Sequence, residues 1–277
     1  MPELPEVEVT RRGIEPVLVH ARIERIWHDG KPLREPFSPE LKKLEGAAVR
    51  GVSRRAKYIL ILTDKGTLII HLGMTGHLRV LTAADYNAPG KHDHFELTTD
   101  RGVTIRLNDI RRFGLVIFID KGLDPLQSPR LRDLGPEPLG EGFSPEYLYG
   151  VLGRMKKSIK QSLMDPKVVV GIGNIYACEA LFLSGISPFC RACKISREEC
   201  EKLFCNIVSI LKRSISMGGT TIRNFSGADG KMGYFVQDLY VYGRRDQPCR
   251  RCGTLIKAAV QGQRSTFYCP LCQKLPE

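Results

Sequence analysis

The chain opens with the stretch MPELPEVE, residues 1–8, in which two prolines alternate with three carboxylates. Proline is tolerated in the first turn of a helix, and acidic side chains favour the positive end of the helix dipole. The apolar pattern that follows predicts a helix over residues 6–18. This helix would hold the N-terminus against the domain that follows it.

The same stretch also has a chemical interpretation. Methionine is usually trimmed before a small residue, so we expect a mature chain that begins with the secondary amine of Pro2. Such an amine attacks an aldehyde carbon to give a cationic iminium, which is the Schiff-base form of covalent catalysis. Glu3 is tethered beside it as an acid or base. By themselves these residues fit a plain helix start as well.

A β-rich region is predicted from about residue 47 to residue 120. The predicted strands are residues 58–62, 67–70, 103–107 and 115–119. Residues 64–66 and 100–102 have the composition of hairpin turns. Short strands with turns between them are typical of a β-sandwich or barrel.

The second half of the chain is predicted to be mainly helical after a linker rich in proline and glycine at residues 123–142. Ser144 followed by Pro145 is a helix start. A capping box at residues 196–199 begins a longer helix whose apolar stripe is core, and which ends at residues 218–219.

The composition favours a polyanionic partner. The chain has 277 residues, a formal net charge of +12 and a pI near 9.3. No apolar run reaches the roughly 18 residues of a membrane span. The N-terminus lacks the basic and then apolar pattern of a signal peptide, so a cytoplasmic protein is expected. Nine cysteines in such a protein indicate metal binding or free thiols rather than disulfides.

Four of these cysteines have the spacing of a zinc site. Cys249 and Cys252 form one C-x2-C pair, Cys269 and Cys272 form another, and 16 residues separate the pairs. Two such pairs supply four thiolates for a tetrahedral Zn²⁺. Because no coordination position stays open, we predict one structural zinc and no catalytic metal.

Two weaker metal patterns are interpreted differently. Cys190, Cys193, Cys200 and Cys205 have irregular spacings and fall partly on a predicted helix, so partly buried free thiols are expected. The pair His92-x-His94 begins a strand, where a phosphate or structural role is favoured over metal binding. Residues 168–176 are rich in glycine, as a dinucleotide-binding loop would be. They lack the third glycine and the βαβ context of such a loop, so that interpretation is weak.

Together these motifs resemble the formamidopyrimidine-DNA glycosylase family, whose members excise oxidised purines. The shared motifs occur in order at residues 1–8, 71–74, 91–94, 109–114, 134–139, 164–176, 218–221, 241–244 and in the cysteine cluster. The resemblance therefore spans nearly the whole chain. It implies an N-terminal β-sandwich with an N-terminal helix (1–131), a helix–two-turn–helix DNA-binding domain (132–240) and a β-hairpin zinc finger (241–277).

The resemblance implies a role for several side chains. Pro2 would be the nucleophile and Glu3 the proton donor, while Glu6 helps to hold the site. Met74, Arg111 and Phe113 would fill the gap left by the flipped base, although Ile110 stands where the family usually has proline. Apolar or flat side chains serve such a purpose, and arginine can bond the orphaned base.

The phosphate contacts are implied in the same way. Lys57 matches a family lysine that touches phosphate and contributes to excision. Asn174 and Arg264 match family phosphate ligands, and His92 is a further DNA-binding candidate. His71, Arg112 and Lys160 are weaker phosphate candidates. Residues 220–237 match the glycine-rich loop that closes over the extruded base.

The resemblance implies a bifunctional glycosylase and AP lyase that acts on double-stranded DNA with an oxidised base. It implies that a basic cleft between the N-terminal β domain and the helical and zinc domains captures the DNA. The damaged nucleotide is then flipped out of the stack, and both flanking phosphates are eliminated in turn. A monomer in the bacterial cytoplasm, associated with the nucleoid and not with a membrane, is expected.

Two alternatives stay open at this point. An endonuclease VIII-like enzyme for oxidised pyrimidines would share Pro2 and Glu3, but Leu4 and the long loop favour the purine branch. A non-catalytic zinc-ribbon DNA-binding protein would share the charge and the cysteines without needing Pro2.

Overall fold

The computed structural model describes residues 1–220 and 235–274. The chain divides into two compact units. Unit 1 comprises residues Met1–Arg132 and Met217–Val236, and unit 2 comprises Asp133–Ser216 and Gln237–Glu277. The three-domain division expected from the sequence stays a prediction.

Unit 1 begins with helix α1 (Leu4–Leu18), which starts two residues before the predicted position. Glu3 is its N-cap, and Glu6 three residues later accepts a hydrogen bond from the Glu3 N–H at 2.8 Å. This is the reciprocal arrangement of a capping box. The face of the helix that carries Val7 and Ile14 is buried in the core.

The strands of unit 1 form two antiparallel four-stranded sheets. The strands are β1 (Ile23–His28), β2 (Val49–Arg55), β3 (Tyr58–Thr63), β4 (Gly66–His71), β5 (His77–Leu81), β6 (Asp93–Thr99), β7 (Thr104–Asn108) and β8 (Leu115–Asp120). One sheet has the order β1-β6-β7-β5 and the other β2-β3-β4-β8. The predicted N-terminal β-sandwich with a helix is confirmed.

The core of unit 1 lies between these sheets and α1. Its buried side chains alternate along the strands, as Ile59 and Ile61 do in β3 and Leu68 and Ile70 do in β4. Both predicted hairpins are present, because β3 pairs with β4 and β6 pairs with β7 in antiparallel register.

Unit 2 contains four α-helices in its described residues: α2 (Pro145–Leu152), α3 (Ile159–Leu163), α4 (Asn174–Ser184) and α5 (Arg197–Ser216). The Ser144 hydroxyl caps α2 by accepting the Tyr147 N–H at 3.1 Å. The predicted capping box of α5 is formed, since Ser196 and Glu199 exchange hydrogen bonds. The apolar stripe of α5 is buried at Leu203, Ile207 and Leu211.

The C-terminal part of unit 2 is an antiparallel hairpin of β9 (Lys257–Gln261) and β10 (Arg264–Tyr268). The hairpin lies between the two cysteine pairs in the sequence, as predicted. None of the helices within 1–220 and 235–274 is long and apolar enough to cross a membrane.

Candidate functional site

The four predicted zinc ligands are brought together in unit 2. The Sγ atoms of Cys249, Cys252, Cys269 and Cys272 all lie within 4.8 Å of one another. Neighbouring sulfur pairs are separated by 3.5 to 4.0 Å. Thiolates at about 2.3 Å from a tetrahedral Zn²⁺ are about 3.8 Å apart. The residues therefore fit the ion, and they form the site of one structural zinc.

Backbone N–H groups support the zinc ligands. The N–H of Arg251 points at the Cys249 sulfur and that of Cys272 at the Cys269 sulfur, both at 3.4 Å. The Gln273 side chain accepts the Cys269 N–H at 2.9 Å and donates to the Ile186 carbonyl at 2.9 Å. Such outer contacts orient metal ligands. They also fix the base of the hairpin to the helical part of unit 2.

The other cysteines form no second cluster among the described residues. Cys200 and Cys205 lie on α5, as predicted, and Cys190 is buried beside a short turn. Burial raises the pKa of Cys190 and raises the pKa of Cys200 to about 11. A thiol of high pKa is a poor nucleophile, so these two side chains are packing residues.

The N-terminal segment of unit 1 is buried and held by hydrogen bonds. Pro2 is buried and Glu3 is 2% exposed. Glu6, also 2% exposed, accepts the Glu3 N–H on one oxygen. Its other oxygen accepts the N–H and the hydroxyl of Thr220 at 2.9 and 2.8 Å. The Glu6 carboxylate thus links the first turn of α1 to the residue that precedes 221–234.

Helix α1 is anchored on β2 by charged side chains. Arg11 donates to the Val52 carbonyl at 3.2 Å, and Arg54 donates to Glu8 at 3.1 Å. The helix therefore runs antiparallel to β2, and its first turn is directed toward the turn that follows β2. Lys57 lies in that turn and is half-buried. Residues 2, 3 and 57 consequently belong to one end of the same helix–strand pair.

The three gap-filling candidates lie on two adjacent loops of unit 1. Met74 is half-buried in the turn between β4 and β5, while Arg111 and Phe113 are exposed between β7 and β8. The Arg111 guanidinium stacks on the Phe113 ring at 4.5 Å. Gly73 has a φ of +65°, and a Cβ there would lie 2.4 Å from the Phe113 carbonyl carbon. Only glycine allows the two loops this close approach.

Asp109 holds the second loop in shape, a role that the sequence did not reveal. Its carboxylate is fully buried and accepts the Gly114 N–H at 2.7 Å and the Thr75 hydroxyl at 2.5 Å. The Arg111 N–H lies 3.3 Å from the same carboxylate and 3.1 Å from the Thr75 hydroxyl oxygen. A buried carboxylate with several donors is a strong and directional organiser.

His92 and His94 differ in how deeply their side chains are buried. His92 is half-buried, and its carbonyl accepts the Asp109 N–H at 2.9 Å. His94 is buried between the Asp29 carboxylate at 3.0 Å and the Asp109 carbonyl at 2.9 Å. Arg112 donates to the same Asp29 at 2.8 Å and to the Pro32 carbonyl at 2.9 Å. His94 and Arg112 therefore fix the loop, and His92 is the histidine of this pair that retains side-chain exposure.

His71 is buried beside positive charge. Its Nδ1 accepts the Gly73 N–H at 3.0 Å, which leaves the proton on Nε2. Burial, with smaller contributions from Arg34 and Lys57, lowers the pKa of His71 to about 3. The ring is therefore neutral at physiological pH. It supports the turn that carries Met74 and offers an N–H donor rather than a charge.

In unit 2, two of the predicted phosphate ligands, Asn174 and Lys160, meet at one backbone carbonyl of the zinc hairpin. Asn174 is the first residue of α4, and its side-chain N–H donates to the Ser265 carbonyl at 2.8 Å. Lys160 is buried and donates to the same carbonyl at 3.1 Å and to the Thr266 hydroxyl at 2.8 Å. Arg264, next to Ser265 in β10, is exposed. The helix start and Arg264 are thus neighbours, and a helix N-terminus favours an anion.

Two further polar residues, one in each unit, join segments that are distant in the sequence and are not predicted from it. Glu179 in α4 is buried and accepts the N–H groups of Tyr240, Val241 and Tyr242 at 2.8 to 2.9 Å. Thr220 binds Glu6 across most of the chain. Nothing in local spacing signals either contact. The predicted base-covering loop at 220–237 falls mainly on residues 221–234, which lie outside the described residues.

Family models match most of the chain. The N-terminal domain of formamidopyrimidine-DNA glycosylase matches residues 1–116, and its H2TH domain matches residues 134–226. A zinc finger found in FPG and IleRS matches residues 246–275.

Relatives and solved structures agree with these matches. The formamidopyrimidine-DNA glycosylase of Serratia proteamaculans is 50% identical over 99% of this chain and 100% of its own length. The MutM (FPG) protein of Thermus thermophilus has a TM-score of 0.89 at 34% identity, with 100% of both chains covered. A complex of a Lactococcus lactis FPG mutant with a Fapy-dG containing DNA has the same TM-score and identity, with 99% and 100% covered. By its domains, its relatives and its fold, the chain belongs to the formamidopyrimidine-DNA glycosylase family of DNA repair enzymes.

Proposed function

We propose that Pro2 and Glu3 carry the glycosylase and AP lyase chemistry of this family on double-stranded DNA that contains an oxidised purine. The observation that carries the proposal is the Glu6 carboxylate, which holds the first turn of α1 from two sides. A nucleophile and a proton donor need such fixed positions, because small misplacements cost large factors in rate. Burial of Glu3 also keeps competing water away from the reacting atoms.

The reaction follows from the amine of Pro2, freed by removal of Met1. Its nitrogen attacks C1′ of the flipped nucleotide, the bond from C1′ to the base breaks, and the base leaves with a proton. Glu3 donates a proton to the ring oxygen, so the sugar opens to a cationic iminium. The iminium accepts the electrons released when C2′ loses a proton, and the 3′ phosphate leaves. A second elimination releases the 5′ phosphate, and water then hydrolyses the iminium, which frees the sugar fragment as an aldehyde and restores the Pro2 amine. The product is a one-nucleotide gap with phosphate at both ends.

Each unit contributes its own share of DNA contacts in this proposal. In unit 1, Met74, Arg111 and Phe113 fill the space of the flipped base, with the exposed Phe113 ring as the flat wedge. Lys57 and His92 bind phosphate in the same unit. In unit 2, Asn174 and Arg264 bind phosphate at the helix start and hairpin. The net charge of +12 supports a polyanion as the partner.

The substrate class follows the family. The Fapy-dG containing DNA bound by the Lactococcus lactis protein supports an oxidised purine as the lesion. A monomer that works on the nucleoid in the cytoplasm, without a membrane partner, is part of the proposal. The zinc holds the hairpin in shape and stays outside the reaction, because its four ligands are all protein thiolates.

The proposal is tested by single-turnover incision of a duplex with one 8-oxoguanine opposite cytosine. The wild type is expected to release the base and leave phosphate at both ends of the gap. Glu3→Gln should lose roughly 100-fold in base excision, the range of a lost general acid. Glu15→Gln is the matched control, because Glu15 lies on the same helix with its side chain 42% exposed. Faster incision of an oxidised pyrimidine than of 8-oxoguanine would assign the chain to the endonuclease VIII-like activity instead.

A further inference from the structure

The two loops that carry the gap-filling side chains are joined by a polar bridge between the half-buried Thr75 and the buried Asp109. Thr75 follows Met74 directly, and its hydroxyl donates to the Asp109 carboxylate at 2.5 Å. The same hydroxyl oxygen accepts the Arg111 N–H at 3.1 Å. One side chain of the first loop therefore bonds both the organiser of the second loop and the backbone of its arginine.

The bridge is reinforced on either side. The second Asp109 oxygen accepts the Gly114 N–H at 2.7 Å, which closes the Arg111–Phe113 loop. The Asp109 backbone bonds the His92 carbonyl and the His94 ring at 2.9 Å each. The Gly73 backbone packs directly against that of Phe113. The loops thus have a shared hydrogen-bond network as well as a shared steric contact.

We propose that Thr75 and Asp109 are positioning residues that assemble Met74, Arg111 and Phe113 into one preformed wedge. Met74, Arg111 and Phe113 differ in size and polarity. In this network the Asp109 carboxylate bonds backbone N–H groups and the Thr75 hydroxyl rather than these three side chains. Asp109 is 0% exposed, so it acts through the loops and not on DNA. The inference rests on the proposed function, because it presumes that these side chains enter the duplex.

A preformed wedge has a kinetic consequence. If Met74 and Arg111 enter the duplex as one rigid body, the cost of ordering them is paid during folding and not at each flipping event. Loss of the Thr75 hydroxyl removes the short bond to Asp109 and leaves the Asp109 oxygen and the Arg111 N–H with their mutual contact at 3.3 Å. Loss of a hydrogen bond to a buried charged group costs enough to shift a loop equilibrium by roughly tenfold. Flipping would slow while the chemistry at Pro2 is unchanged.

The test compares Thr75→Val, which removes the hydroxyl at constant shape, with Thr75→Ser, which keeps it. A 2-aminopurine base beside 8-oxoguanine reports base displacement by stopped-flow fluorescence. A single-stranded oligonucleotide with an abasic site needs no wedge, and borohydride trapping on it reports Pro2 alone. We expect Thr75→Val to lower the displacement rate and the excision rate about tenfold, with trapping on the single strand within about twofold. Thr75→Ser should stay within about threefold of the wild type in the displacement rate, the excision rate and trapping on the single strand.

A second readout separates positioning from simple destabilisation. The family resemblance implies that Arg111 bonds the orphaned base, so a loosened wedge should bring the excision rates opposite cytosine and opposite adenine closer together in Thr75→Val and Asp109→Asn. An unchanged ratio, or wild-type displacement rates in Thr75→Val, would overturn the inference. So would equal losses on the single strand and the duplex, since Thr75 would then serve folding alone. A wild-type chain that traps neither DNA would instead refute the proposed function.

Discussion

The two candidate sites, one near each end of the chain, are assembled in opposite ways. The zinc ligands are close in sequence, with Cys249 and Cys272 only 23 positions apart, and a hairpin brings them together. At the N-terminus, the Glu6 carboxylate binds Thr220, 214 positions away. The first site depends on local spacing and on an ion, the second on the tertiary fold of unit 1. A site whose residues are close in sequence can be predicted from their spacing. A site built from distant contacts can be predicted only through resemblance to a known family.

The largest expected effect breaks the local site. Cys269→Ser should abolish zinc retention and unfold the β9–β10 hairpin, because structural zinc contributes about 10 kcal/mol or more to folding such elements. DNA affinity, measured by fluorescence anisotropy beside zinc content, should fall about 100-fold with it. Cys205→Ser is the matched control, since Cys205 is an exposed thiol on α5. Normal DNA binding by a zinc-free chain would contradict the role given to the hairpin.

A smaller effect is expected at the distant contact. In Glu6→Gln the side-chain NH₂ group, a donor, would face either the Glu3 N–H or the Thr220 hydroxyl, which are donors too. The lost hydrogen bond should lower the free energy of unfolding by about 1–3 kcal/mol. Excision of 8-oxoguanine should slow by roughly tenfold or more through misplacement of Glu3. Denaturant unfolding and single-turnover kinetics measure the two quantities. Glu24→Gln, on the exposed side of β1, should change neither. Wild-type excision by Glu6→Gln would show that the link to Thr220 is dispensable.

The buried neutral His71 predicts a pH dependence of unit 1. Because its folded pKa is about 3, below the unfolded value of 6.5, its contribution is present above pH 6.5 and is lost as the pH falls toward 3. Between those values it accounts for about 1.4 kcal/mol of unfolding free energy per pH unit. His71→Gln should have a flatter stability curve over this window than the wild type. A His71 ring that titrates near pH 6.5 by NMR would contradict the assignment.

The smallest effect concerns a single phosphate contact. Arg264→Ala should weaken duplex binding by about 1 kcal/mol and reduce the slope of log affinity against log salt by about 0.9, for the release of one counterion. Zinc content should not change, because Arg264 is exposed in β10. Arg197→Ala is the control, since that exposed side chain pairs with Glu201 on α5. An equal salt dependence of DNA affinity for both variants would show that Arg264 is not part of the DNA interface.

The sequence predicted the elements better than the contacts between them. The β-sandwich, the capping of α5 and the cysteine cluster rest on alternation, capping residues and spacing, which are local signals. Helix α1 starts two residues before the predicted position, because Glu3 is its N-cap and Pro5 lies in its first turn.

The resemblance implies Glu6 as an organiser of the candidate site, but Asp109 and Glu179 are not predicted as organisers. Asp109 lies in the motif at residues 109–114, yet its bonds to Thr75 and Gly114 depend on how β4, β5, β7 and β8 pair in two different sheets. Glu179 looks like any helical glutamate until its three backbone donors are seen. Residues that hold other residues in position show no characteristic spacing in the sequence. Only the tertiary fold brings them to their partners.

The central claim is that Pro2 is the nucleophile, and borohydride trapping with mapping of the adduct tests it most directly. The wild type and a chain that retains an N-terminal extension are each mixed with a duplex holding 8-oxoguanine opposite cytosine, reduced, digested and analysed by mass spectrometry. The account predicts a DNA adduct on the Pro2 peptide of the mature chain and none on the extended chain. An adduct on a lysine such as Lys57, or equal trapping by the extended chain, would contradict it.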